Sequence, residues 1–484
     1  MNIVTIASEV VPFAKTGGLA DVAGTLPRAL AKTGDTVTMI MPYYPKKTDA
    51  RKFNIKTTGK KVTAPFGEWK LAGEIFHTTI KPNINVYFIG QPQFFDRNEL
   101  YQTKDGDYPD NAERFAFFSR AAIEAMIALK IKPDVVHVHD WQAALIPLFL
   151  KTHYKDRKEF ASTKTLLTIH NLGYQGLFPA DDMRLLNLGW DYFTFDKLEF
   201  WGKLNYLKAG IVYADAINTV SKKYAEEILT EEFGCGLQGA LACRKKDLFG
   251  ILNGIDYEEW NPESDDFLAR KFSPSRMEGK EACKLAIQKR FGLLQRPRVP
   301  LIGIVGRLTV QKGFDILAEA MPALVDMGVQ FAILGTGEKK YEEMLAQAAK
   351  DYPDFVGLEL AYDNSLAHQI EAGSDFFLMP SRYEPCGLNQ MISLKYGTIP
   401  IVRATGGLDD SIVDYDGKKG TGFKFSGITV PDLVAVVGRA LKLYLGGTPN
   451  KWKMLMENAM EADFSWNRSA KEYKALYKRL TGKK

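Results

Sequence analysis

A chain of 484 residues exceeds what one hydrophobic core usually serves, so two domains are expected. With 46% hydrophobic and 25% charged residues, the composition is that of an ordinary folded protein and excludes disordered and fibrous classes. The 63 basic and 58 acidic residues leave a net charge of +5, too small to argue for nucleic acid, and no run approaches the ~18 apolar residues that span a bilayer.

The opening Met1-Asn2-Ile3-Val4-Thr5-Ile6 lacks a charged n-region and a long apolar h-region, so it reads as a first strand and not a signal peptide. Short β-rich apolar runs then alternate with longer helical patterns, which predicts βαβ units and parallel sheets. Strands are expected at 3–7, 37–41, 135–139, 166–169 and 216–220, and again at 301–305, 330–334, 376–380 and 399–402. Leu252-Asn253-Gly254-Ile255-Asp256 and the Trp/Pro/Asp/Ser-rich stretch after it place a boundary near residue 250. The tail from Pro449 is amphipathic and helical, with an N-cap near Ser465. The fold class is therefore α/β, with two doubly wound, Rossmann-like domains facing a cleft in which a substrate would sit. Cys235, Cys243, Cys283 and Cys386 form no CxxC pair, which fits a reduced, cytoplasmic chain.

The motifs fall at strand ends. Lys15-Thr16-Gly17-Gly18-Leu19-Ala20-Asp21 stands between the first strand and a helix, where paired glycines let a ligand approach the backbone and Lys15 can face a phosphate. A plain connecting turn would look similar. Asp105-Gly106-Asp107 resembles a metal-binding DxD, but it lies in a Tyr/Asp/Pro-rich loop and reads as turn chemistry. In His137-Val138-His139-Asp140-Trp141 the two histidines share a face; no third ligand is evident, so no metal site is assigned. Asp140 reads as a sugar-facing carboxylate beside an aromatic wall, and Thr168-Ile169-His170-Asn171 brings His170 to the same edge.

In the second half, Gly306-Arg307-Leu308-Thr309-Val310-Gln311-Lys312-Gly313 follows a strand and offers a guanidinium and an ammonium to a diphosphate; two surface charges beside a loop are the alternative. Gly335-Thr336-Gly337-Glu338 is a strand-to-helix glycine turn that lacks the third glycine of a dinucleotide fingerprint. Tyr362 could stack on a base or pack on a surface. Glu384-Pro385-Cys386-Gly387-Leu388-Asn389-Gln390 follows an apolar strand and precedes a helix. That is the position outside the carboxyl end of a sheet where open α/β folds bind ligands, so one carboxylate and one helix end together suggest a nucleotide-sugar site.

Taken in order, these pieces resemble the bacterial glycogen synthase and plant starch synthase family. The resemblance covers the chain from residue 1 to the C-terminal helix, and includes Ala7-Ser8-Glu9-Val10, Asn253-Gly254-Ile255-Asp256 and Thr405-Gly406-Gly407-Leu408. It implies a GT-B fold with a starch-synthase-type domain at 1–250, a nucleotide-sugar domain at 251–455 and a helix at 456–484 crossing back to the first. It also implies glucosyl transfer, with retention, from ADP-glucose to the non-reducing end of an α-1,4-glucan such as glycogen. The matching catalytic positions are Asp140, His170, Arg307, Lys312 and Glu384. The matching substrate-binding positions are Lys15, Gly17, Gly18, Asp21, Asn171, Asn253, Gly335, Tyr362, Cys386, Gly387 and Leu388. Among these, Arg307 and Lys312 would hold the diphosphate, Tyr362 would stack on adenine, and Glu384, Cys386 and Gly387 would meet the hexose. Wider retaining transferases often carry a second glutamate at the place Ile392 takes here, and this family commonly lacks it.

Since Arg307, Lys312 and helix N-termini can stabilise a departing diphosphate, no metal or other cofactor is expected. Retention is expected through front-face transfer, in which the departing phosphate oxygen takes the acceptor proton; double displacement on Asp140 is the alternative. The competing functions are a transferase using UDP-glucose, an α-glucan phosphorylase with a pyridoxal cofactor, and a non-catalytic glucan-binding protein.

Overall fold

The computed structural model describes residues 1–81, 83–104, 106–447 and 449–483. They divide into two compact units: the first takes residues 1–220, 225–251 and the tail from Trp466, the second residues 221–224 and 252–465.

The first unit is built on one nine-stranded sheet. From one edge its strands run Leu248–Gly250, Ala216–Thr219, Lys164–Ile169, Val135–His139, Asn2–Ile6, Thr36–Pro42, Ile84–Gly90, Trp69–Ile80 and Lys56–Phe66. All pairs are parallel up to Ile84–Gly90, after which an antiparallel hairpin closes the sheet. The apolar, β-branched runs are the central strands, buried on both faces by helices. The hairpin went unread in the sequence because Lys56–Phe66 is Lys/Thr/Gly-rich. It is an edge strand with Lys56, Lys60 and Lys61 exposed, a composition that discourages edge-to-edge pairing.

From Asn2–Ile6 the chain first lays Thr36–Pro42 on one side, and later returns to lay Val135–His139 on the other. The strand order therefore reverses between Asn2–Ile6 and Val135–His139, the crevice where such sheets bind ligands. The second unit repeats this plan in a six-stranded, all-parallel sheet ordered Val356–Glu359, Gln330–Leu334, Leu301–Val305, Phe376–Met379, Ile399–Arg403 and Phe423–Phe425. Its reversal lies between Leu301–Val305 and Phe376–Met379, the strands that carry Arg307 and Glu384 at their ends.

The C-terminal segment rejoins the first unit from Trp466 and not from the expected 456, directly after Ser465, where the sequence places a helix start. Helix Pro449–Glu461 stays in the second unit, burying Leu455, Ala459 and Met460, and the Phe464 carbonyl then accepts from Ile255 N–H at 2.9 Å. Only from Trp466 does the chain rejoin the first unit. Helix Trp466–Thr481 puts Trp466, Ala470, Tyr473, Leu476 and Tyr477 into a core with Ile3, Val22, Leu26 and Leu30. Its apolar positions recur at three- and four-residue spacing, so one face is buried while Lys478 and Arg479 complement the C-terminal dipole.

Candidate functional site

In the first unit the loop after Asn2–Ile6 is organised by Glu9, a residue of Ala7-Ser8-Glu9-Val10 to which the sequence alone assigns no role. Its carboxylate accepts from Thr16 N–H, from Thr16 Oγ1 at 2.9 Å and from Gly17 N–H at 3.3 Å, and Tyr101 OH donates to it at 3.3 Å. A strand-end carboxylate was visible in Ala7-Ser8-Glu9-Val10; that it folds the next loop back on itself was not. Helix Gly18–Lys32 starts where that loop ends, and Lys15 Nζ donates to Asp21 Oδ1 at 2.7 Å.

Strand Val135–His139 ends in Asp140, which sits at φ +52°, a left-handed conformation uncommon for a non-glycine residue and found preferentially at functional sites. The buried carboxylate accepts from His170 N–H at 2.7 Å and from the backbone of Asn171. Burial pushes Asp140 up to about 7, and the nearby Glu9 charge pushes the same way. His170 Nε2 and His139 Nδ1 are 2.9 Å apart, so these rings fix each other's tautomers. The His137 ring lies against that of His139, tilted by 35° with centroids 4.2 Å apart, while its nitrogens meet Tyr477 OH at 2.8 Å and Thr168 Oγ1 at 2.6 Å. A third histidine thus does adjoin the pair read from the sequence. All three are neutral, since burial lowers His137 and His170 to about 3 and His139 well below its usual value. His137 uses both nitrogens on Thr168 and Tyr477, and His139 Nδ1 meets His170 Nε2, while His139 Nε2 is buried without a hydrogen-bond partner among the described residues. No group of three or more potential metal ligands occurs among the described residues.

In the second unit, Glu384 is almost wholly buried at the end of Phe376–Met379 and the turn that follows it. Lys312 Nζ donates to Glu384 Oε2 at 2.5 Å and Ser381 Oγ to the same oxygen at 3.1 Å. Lys312 comes from the loop after Leu301–Val305, so the pair bridges the two strands that flank the reversal. The loops are also tied through Arg382, which donates N–H to Gln311 O at 2.8 Å and its guanidinium to Asp315 at 2.5 Å.

The Glu384-Pro385-Cys386 backbone is held from behind by Thr405-Gly406-Gly407. Gly407 N–H donates to Glu384 O at 3.0 Å, and a Cβ on Gly407 would lie 2.1 Å from Cys386 O. Pro385 O accepts from Ser221 Oγ at 2.6 Å, and Cys386 Sγ accepts from Asn253. Burial pushes the Cys386 thiol up to about 12, so it is a neutral packing group and no nucleophile. Gly387 adopts φ +70°, and the N–H groups of Cys386, Gly387 and Leu388 have no acceptor among the described residues. Consecutive free N–H groups of this kind form an anion- or hydroxyl-binding nest. Helix Asn389–Lys395 starts directly after, with Ile392 buried in it.

Arg307 is exposed, and its side chain has no partner among the described residues. The Gly335 backbone packs against the Gly306 carbonyl, which a Cβ would approach to 2.0 Å, so this glycine joins the loops after Leu301–Val305 and Gln330–Leu334. Tyr362 is 82% exposed. Of the expected residues, the structure brings together Lys312 with Glu384, Asp140 with His170 and Asn171, Asn253 with Cys386, and Lys15 with Asp21. Tyr362 makes no side-chain hydrogen bond or ring contact among the described residues. Asp105 of the Asp105-Gly106-Asp107 motif lies outside the described residues, while Gln102–Thr103 and Gly106–Asp107 pair as a small ribbon.

Residues 2–243 match the starch synthase catalytic domain family and residues 299–444 the glycosyl transferases group 1 family. The chain is similar to the glycogen synthase of Koribacter versatilis (49% identity, covering 99% of this chain and 98% of that one). It is also similar to that of Thermosipho melanesiensis, at 45% identity with both chains covered completely. Among solved structures it resembles the catalytic domain of starch synthase IV from Arabidopsis thaliana bound to ADP and acarbose, with a TM-score of 0.92, 35% identity and 99% of each chain covered. Sucrose-phosphate synthase from Thermosynechococcus elongatus shares the fold alone, at a TM-score of 0.64 and 16% identity.

Proposed function

We propose that this chain, which belongs to the bacterial glycogen synthase and plant starch synthase family of glycosyltransferases, transfers glucose from ADP-glucose to the non-reducing end of an α-1,4-glucan, with retention. The observation that carries this reading is the Lys312–Glu384 pair beside the free N–H groups of Cys386, Gly387 and Leu388. A buried carboxylate can order sugar hydroxyls, and an ammonium beside a nest can receive phosphate oxygens. Arg307 and Lys312 take the charge that develops on the departing diphosphate, and no metal is needed for that role. Tyr362 supports the base.

Asp140 and His170 serve the transferring glucose. Asp140 is held rigid in its left-handed conformation by two backbone donors, and neutral His170 can donate or accept a hydrogen bond without adding charge. The departing phosphate oxygen takes the proton of the acceptor hydroxyl on the same face of the sugar, so the C1–O bond to diphosphate breaks as the bond to the acceptor oxygen forms. Four cysteines without a disulfide support a cytoplasmic location, and no helix among the described residues is long and apolar enough to cross a membrane.

The test is incubation with glycogen and radiolabelled ADP-glucose or UDP-glucose, in the presence of EDTA, following label into polymer. Incorporation from ADP-glucose alone is expected. Incorporation only from UDP-glucose, or only without EDTA, would overturn the donor or the metal-free reading respectively. A covalent glucosyl adduct trapped on Asp140 would replace front-face transfer by double displacement.

A further inference from the structure

Three large aromatic side chains lie exposed in one short segment of the first unit: Trp190 is 62% exposed, Phe195 84% and Trp201 84%. The backbone that carries them is fixed. Phe193 N–H donates to Trp190 O at 2.9 Å and Leu198 N–H to Tyr192 O at 3.3 Å. Lys208, itself buried, donates through Nζ to the carbonyls of Phe195 and Glu199. Glu199–Phe200 and Lys203–Asn205 then pair as antiparallel strands with Trp201 at their turn. Rings held outward on an ordered backbone lose little entropy when a ligand stacks on them.

Polar residues stand between the rings in the chain: Asp191 and Thr194 between Trp190 and Phe195, and Asp196, Lys197 and Glu199 between Phe195 and Trp201. Thr194 Oγ1 donates to Asp196 Oδ1 at 2.7 Å. Separate ring faces set among polar groups suit a pyranose, which offers an apolar C–H face rimmed by hydroxyls, better than they suit a core-like protein interface. The segment is also continuous with the reacting centre. The strand Lys203–Asn205 pairs with Leu177–Pro179, Phe178 of that strand packs on Trp141 at 5.6 Å, and Trp141 follows Asp140 in the chain. A Cβ on Gly176 would lie 2.5 Å from the Trp141 ring, so sheet and ring are in close contact.

We propose that Trp201, Phe195 and Trp190 form a docking face for the α-1,4-glucan acceptor, each ring stacking on the C–H face of a glucose unit away from the end being extended. This rests on the transferase reading above. The experiment compares the full-length wild type with Trp201→Ala, the triple alanine variant and Trp201→Tyr. Glycogen affinity is read by mobility in glycogen-containing native gels, and KM is measured for glycogen and for ADP-glucose. The alanine variants should weaken glycogen affinity and raise its KM at least ~5-fold, the scale of losing a stacking anchor, with KM for ADP-glucose unchanged and Trp201→Tyr close to wild type. Glycogen affinity equal to wild type in the triple variant would overturn the proposal. So would a dimer that dissociates on the same substitutions without a change in glycogen affinity. The two readings fail separately: a wild type that binds glycogen through these rings but incorporates no glucose sinks the reaction alone, whereas full incorporation with unaltered variants sinks the docking face alone.

Discussion

Lys312 Nζ lies 2.5 Å from Glu384 Oε2, and the carboxylate side chain is 8% exposed against 25% for the lysine. A nearly buried carboxylate with one ammonium and one hydroxyl as donors depends on that ammonium. Lys312→Ala should therefore lower both stability and turnover, the latter by at least ~10²-fold, the scale for one preorganised charge donor. Adding Glu384→Gln should recover much of the stability and none of the rate. Denaturant midpoints and initial rates on the four combinations check this. Recovery of the rate together with stability would make the pair structural only.

Arg307 presents the opposite case, since it is exposed and unpartnered among the described residues. Arg307→Ala should leave the unfolding free energy within ~0.5 kcal/mol of wild type, as surface changes usually do. Turnover should fall by ~10²-fold. A near-wild-type rate in steady-state assays would place the diphosphate elsewhere.

The strands that carry these residues were legible because parallel, doubly covered strands are written as short apolar runs, as in Leu301–Val305 and Phe376–Met379. Their neighbours were not. Nothing local to Val135–His139 says that it pairs with Asn2–Ile6, yet that pairing creates the reversal at which Asp140 sits. Contacts made across long stretches of chain stayed hidden for the same reason: Lys312 with Glu384, His139 with His170, and Tyr477 with His137. Glu9 was visible as a residue but not as the organiser of Thr16 and Gly17. The helix start near Ser465 was legible, but the boundary at 456 falls too early because Pro449–Glu461 and Trp466–Thr481 are both amphipathic, and their pattern does not reveal which unit each face meets.

Two kinds of glycine can be told apart by experiment. A Cβ on Gly18 meets nothing within 4 Å, whereas one on Gly407 meets the Cys386 carbonyl. Gly18→Ala should fold as wild type and raise KM for the donor, because only a ligand approaching the backbone would meet the methyl group. Gly407→Ala should destabilise by ~1–3 kcal/mol through overpacking. Thermal melts with donor kinetics check both, and an unchanged donor KM in Gly18→Ala would remove that glycine from the site.

Tyr477 OH lies 2.8 Å from His137 Nδ1 in a fully buried setting, which ties helix Trp466–Thr481 to the strand that ends in Asp140. Tyr477→Phe should cost ~1–3 kcal/mol by leaving His137 without that partner. Its effect on turnover should be much smaller than that of His170→Ala, because His137 meets Thr168 and the tilted ring of His139 but does not hydrogen-bond His170. Equal losses of turnover in the two variants would mean that the histidine row acts as one unit.

Asp140 gives the clearest pH signature. Burial pushes it in the native state up to about 7, from the ordinary aspartate value of 3.8. Between those values the native state holds a proton that the unfolded chain has released, so this group's contribution to stability falls as pH rises and is lost through pH 7. The buried histidines act with opposite sign. Lowered values for His137, His139 and His170 mean that their contribution is lost as pH falls through the usual histidine range. Glu9, raised by burial, adds to the Asp140 trend. The wild-type profile therefore blends opposing slopes, and the informative quantity is the difference between wild type and Asp140→Asn. Relative to the wild type, the variant should gain stability steadily from pH 4 to pH 7, by up to ~4 kcal/mol, and stay level above. Urea midpoints across that range measure it. A constant difference would show that Asp140 is ionised in the folded protein throughout, which would require a cation or donor at its carboxylate beyond the backbone of His170 and Asn171.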